Sequence, residues 1–109
     1  MLTAKQILAL DDLPRREVEI PEWGGSVYVR ALTGAERDQL ERSLSQSSTI
    51  SRAAIVVMCC VDGDGNPLFS QSDVAALTNK NGQALERIVS AALAFNALTD
   101  EALADVGKG

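Results

Sequence analysis

The rhythm of apolar positions changes several times along the chain, and each change predicts an element. Thr3 followed by Gln6 is a capping box, in which hydroxyl and amide each satisfy an orphan backbone N–H. Ile7, Leu8 and Leu10 supply a short apolar face behind it. Asp11, Asp12 and Pro14 end that helix, because proline disfavours helix at the residue before it. Val18 and Ile20 then alternate with Glu17 and Glu19, and Val27 and Val29 with Tyr28 and Arg30. A period of two predicts strands with one buried face. Pro21 ends the first strand and Gly24–Gly25 permit the reversal, so a β-hairpin is expected over about 16–30. Two strands are marginal by themselves, so this hairpin must pack on helices.

Thr33 with Glu36 is a second capping box and predicts a helix from about Gly34 to Leu44. Its wet face holds Glu36, Arg37, Asp38, Glu41 and Arg42, and its dry side Ala35, Leu40 and Leu44. The serine-rich stretch from Ser43 to Ser51 predicts an exposed loop with an N-cap near its end. Ala53 to Val61 is apolar on every side, so periodicity alone does not separate helix from strand there. Its β-branched residues favour strand, while length and the serine cap favour helix. The expectation is a helix whose last residues turn extended. Asp62 to Pro67 predicts a turn, with Leu68–Phe69 returning opposite Cys60–Val61 as a second short hairpin over about 60–69. Ser70 with Asp73 starts a short helix reaching about Leu77, and Asn79 to Gly82 breaks the pattern. The longest helix runs from about Gly82 to Phe95, and Thr99 caps a short terminal helix carrying Leu103 and Val106. Together these predict one α+β domain over residues 1–109, predominantly helical, with four to five helices.

Composition narrows the function classes. The 109 residues are 46% hydrophobic but only 4% aromatic, so aliphatic side chains must fill the core. The formal net charge is -5, which argues against a nucleic-acid or anionic-membrane surface. Histidine is absent, which removes Ser-His and Cys-His nucleophiles and His-ligated metals. The longest apolar stretch, Ala53 to Val61, is nine residues, far short of the roughly 20 that a membrane span needs. No secretory signal pattern opens the chain, so a soluble intracellular protein is expected.

No residues assemble a catalytic or cofactor site. Cys59 and Cys60 are adjacent and do not easily bridge one another, and two thiols alone do not build a zinc site. Asp62, Asp64, Asn66 and Asp73 fall at positions one, three, five and twelve of a calcium loop. Pro67 stands where that loop requires glycine, and Asp73 is a methylene short of bidentate reach. A hairpin turn followed by a capped helix is the favoured reading, and a divalent-cation-binding regulator over 62–73 the weaker one. Glu17 with Glu19, and Asp11 with Asp12, are solvated carboxylates. Two features point instead to a partner. Trp23, the lone tryptophan, sits in the hairpin loop, either folded back on the core or offered for contact. Leu85, Ile88, Val89, Ala92 and Phe95 form an apolar face covering about half the last long helix, wider than a surface helix needs. A central core helix is the favoured account, with one margin free to meet an amphipathic helix.

The arrangement resembles the tail assembly chaperones of long-tailed bacteriophages and prophages. The likeness lies in the opening MLTAKQILALDDL, the segments PEWGGSVYVRALTGAERD and VDGDGNPLFSQSDVAAL, and the helix LERIVSAALAFNALTDEAL. The resemblance implies a non-enzymatic role with no catalytic, cofactor or metal residues. It implies binding of the tape measure protein, a long and largely helical chain, with recruitment of tail tube subunits. It also implies residence in the host bacterial cytoplasm and absence from the mature virion, and leaves self-association open. The competing reading is a structural virion component, either a minor tail protein or a head–tail connector.

Overall fold

The computed structural model describes residues 1–45 and 51–96. The predicted serine loop over 46–50 and the helix at Thr99 lie outside them, as does the burial expected of Leu44. The hairpin forms from β1 (Arg15–Ile20) and β2 (Gly25–Arg30), antiparallel, with Val18 opposite Val27 and Arg16 opposite Val29. A tight 3-10 turn over Pro21–Trp23 reverses the chain, and Gly24 follows it at φ +71°, a conformation that favours glycine. β2 is the central strand. Its second edge takes β3 (Cys60–Val61), with Tyr28 opposite Val61 and Val29 opposite Cys60.

Five α-helices are present among the described residues: α1 (Ala4–Leu8), α2 (Gly34–Ser45), α3 (Arg52–Cys59), α4 (Val74–Thr78) and α5 (Gly82–Phe95). Their starts follow the predicted caps. Gln6 N–H donates to Thr3 Oγ1 at 3.2 Å, Glu36 N–H to Thr33 Oγ1 at 3.2 Å, and Ala54 N–H to Ser51 Oγ at 3.1 Å. α5 opens on Asn81, whose Oδ1 accepts from Ala84 N–H at 3.0 Å. α3 passes directly into β3, as the extended end of the apolar run predicts. The return beyond the 62–66 turn is a very short hairpin. The antiparallel bridge of Val61 to Pro67 is flanked by a 2.9 Å bond from Asp62 N–H to the Asn66 carbonyl and a 3.1 Å bond from Leu68 N–H to the Cys60 carbonyl. Pro67 has no N–H to extend the ladder.

α3 and α5 pack together, and α5 lies against the hairpin. Their apolar sides, the inward residues Val18, Ile20, Val27 and Val29 of the sheet, and Leu77 of α4 make one core. α2 joins it through Leu40, which is 1% exposed. Two of the expected positions on α2 are reversed. Ala35, predicted dry, is exposed, and Glu36, predicted wet, is half-buried. The reason is Arg30: its guanidinium needs an anion beside the sheet, and the third helical position of the capping box points there.

Asn96 ties the far end of α5 to the rest. Its Oδ1 accepts from Leu32 N–H at 2.8 Å, its Nδ2 donates to the Ala92 carbonyl at 2.8 Å, and its own carbonyl accepts from Arg37 at 3.0 Å. One residue thereby joins α5, the exit of β2 and the first turns of α2.

Candidate protein-interaction surface

Large apolar side chains gather outside the core at the N-terminal arm. α1 buries none of its residues, and Leu8 is 86% exposed, with Leu2, Ile7 and Leu10 also open to solvent. Helical geometry puts Ala4, Ile7 and Leu8 on one side of α1, with Gln6 turned away and Lys5 at the margin beside Leu8. The Thr3–Gln6 box closes from both sides, since Thr3 N–H also donates to Gln6 Oε1 at 2.9 Å. Five helical residues are far fewer than the ~12–15 at which an isolated helix becomes even marginally stable. The arm is therefore a capped apolar helical segment that buries none of its side chains against the other described residues. It is tied to the sheet at its root, where Ala31 N–H donates to the Pro14 carbonyl at 2.9 Å.

The residues singled out from sequence divide into two groups. Leu85, Ile88, Val89 and Ala92 are buried in the core, and Phe95 is half-buried at the end of α5. Their wide apolar face is used against α3 on one flank and the sheet on the other. Trp23 is 37% exposed at the tip of the hairpin. The neighbouring Glu22 anchors that tip, accepting from Arg87 Nε at 2.8 and 3.1 Å. The same bond holds the Glu22 carboxyl below its usual pKa. At ~3.3 Å per residue, the six-residue β1 separates Trp23 from the arm's root by about 20 Å. Sequence reasoning assigned the arm a helix but not a role. The available signal was a surplus of large aliphatic residues in a helix too short to reach a core.

The polar groups serve the scaffold. Arg30 grips Glu36 through two bonds of 2.7 and 2.6 Å and donates to the Met58 carbonyl at 3.0 Å, joining β2, α2 and α3. Arg30 holds the Glu36 carboxyl below its ordinary range. Burial pushes the thiols of Cys59 and Cys60 up to about 12, which keeps both protonated near neutrality. Asp62 Oδ1 accepts from the N–H groups of Asp64 at 2.9 Å and Asn66 at 3.0 Å, and Asp73 accepts from Ser70 N–H at 2.8 Å. These carboxylates shape a turn and cap a helix. Among the described residues, no three His, Cys, Asp or Glu side chains converge on a point that could hold a metal ion. Nor is any helix among them long and apolar enough to cross a membrane.

The described residues form a small sheet-and-helix scaffold that carries an exposed apolar arm. The chain belongs to the phage tail assembly chaperone family, whose model matches residues 6–105. Among solved structures, it is similar to the bacteriophage HK97 tail assembly chaperone, with a TM-score of 0.59 at 19% identity. The match covers 88% of this chain and 92% of that one, and speaks to the fold. No curated protein matches the chain significantly.

Proposed function

We propose that this chain acts in the host bacterial cytoplasm by binding helical stretches of the tape measure protein, keeping them soluble, and recruiting tail tube subunits. It performs no catalysis and leaves the particle before the virion matures. The observation that carries this reading is the exposed apolar arm, joined to a folded domain that has no need of it. A long helical client exposes apolar stripes until the tube encloses it. A small acidic protein that covers such stripes weakly, in many copies, would hold the client in solution. Trp23 offers a second contact on the same molecule, and half-buried Phe95 a third. The buried face of α5 supports both by keeping the scaffold rigid.

Co-expression with the tape measure protein tests the reading. The chaperone should co-purify with tape measure fragments and raise their soluble yield, and purified particles should lack it. Recovery of the chain from mature virions would instead make it a structural component. Failure to associate with any tape measure fragment would also overturn the proposal.

A further inference from the structure

Resting on that reading, we propose that the α1 arm is the docking element, and that its partner is an amphipathic helix with an apolar stripe and a basic margin. Leu2, Ile7, Leu8 and Leu10 lie in one short segment, all exposed, beside a core in which other aliphatic side chains are sealed. Four such side chains make a patch of a few hundred square ångströms, against the ~800 Å² per partner of a stable interface. That area suits one turn-for-turn helix contact that forms and releases, and falls short of a lasting dimer of this chain.

The margin is set by charge. Asp11 and Asp12 follow the apolar positions directly, are exposed, and have no ion-pair or hydrogen-bond partner among the described residues. Lys5 flanks the apolar stripe one turn before Leu8, at the other end of the arm from the two carboxylates. The next cation downstream, Arg15, is turned toward the 62–66 turn, where its Nη1 lies 2.8 Å from the position a Cβ on Gly65 would take. A helix laid on the arm thus meets Lys5 beside the first aliphatic side chains and the paired carboxylates of Asp11 and Asp12 at their end. The net charge of -5 adds to the preference for a cationic partner and disfavours an anionic lipid surface.

The test titrates the full chain with a labelled peptide of about five helical turns carrying a leucine stripe between lysines. Controls are the same peptide with glutamates for lysines, and a scrambled lysine version. The lysine-margined stripe should bind at least ~10-fold tighter than either control, about 1.4 kcal/mol. Leu8→Asp should weaken it by ~10-fold or more, although the variant gains a negative charge that would strengthen a purely electrostatic attraction. Asp11→Asn with Asp12→Asn should shrink the lysine-over-glutamate preference and spare binding of the stripe. Thermal unfolding should be unchanged in both variants, since all three positions are exposed.

Equal binding by Leu8→Asp and the wild type would overturn the inference. So would a fall in sedimentation mass in Leu8→Asp without loss of peptide binding, which would make a second copy the occupant. Tighter binding to phosphatidylglycerol vesicles than to the peptide would overturn it in favour of a membrane. Tape measure fragments separate the two levels of the argument. If they bind wild type and Leu8→Asp alike, the chaperone reading stands and the arm's role fails. If they bind neither while the peptide binds the arm, the chaperone reading fails.

Discussion

Glu36 accepts from Arg30 through both oxygens and from Thr33 N–H at 3.0 Å, so one carboxylate closes a helix cap and an ion pair together. The two side chains are only 15% and 26% exposed, which removes much of the water that weakens surface pairs. Glu36→Gln should therefore cost about 2 kcal/mol at pH 7, because it leaves Arg30 half-buried without its anion. The folded-state pKa of Glu36 is depressed, so its contribution is fully present above the unfolded value of about 4.3. That contribution disappears as pH falls toward the folded value. Urea unfolding should show a steeper acid loss of stability in the wild type than in Glu36→Gln. The adjacent thiols give a second residue-scale expectation. Both are buried and protonated, so a thiol reagent at pH 8 should label them at least about a hundredfold more slowly in native buffer than in denaturant. Rapid native labelling would contradict their burial.

Helix starts were legible because each rests on a local bond: Thr3, Thr33 and Ser51 cap the helices expected of them. The hairpin was legible for the same reason, since alternation and a Pro-Glu-Trp-Gly-Gly turn are neighbours in sequence. The pairing of β3 with β2 was not, because it joins Cys60 to Val29 across two intervening helices and leaves no local mark. The reversal of Ala35 and Glu36 has the same origin, in an Arg30 supplied from another element. The site was half legible. Trp23, for which folding back on the core was the favoured reading, is 37% exposed, while the face around Ile88 went to the core, and the exposure of the arm was not foreseen. Helices with and without packing should respond oppositely to truncation. Ile88→Ala, at a fully buried position of α5, should cost about 3 kcal/mol. Leu8→Ser on α1 should change stability by less than about 0.5 kcal/mol. Thermal unfolding of the two variants compares them directly.

At the scale of the whole molecule, the aliphatic side chains that build the core and those of the arm are kept in separate places. The core holds the hydrophobic residues of α3, α5 and the sheet, and the arm holds aliphatic side chains that contribute nothing to it. Native-state hydrogen exchange should display the division, with α5 amides opening only near the global unfolding free energy and α1 amides exchanging almost as in the unfolded chain. A binding partner that protects α1 without altering α5 would mark the arm as the contact. Asn96 carries a further consequence. A helix that ends unsupported lets whatever comes next swing through a wide cone. Here the final turn of α5 is stitched to Leu32 and Arg37, so the end of the helix is pegged to the exit of β2 and the start of α2. Exchanging that single amide for a methyl group, Asn96→Ala, would leave the interior filled and undo the stitch to Leu32, while the backbone carbonyl kept its bond from Arg37.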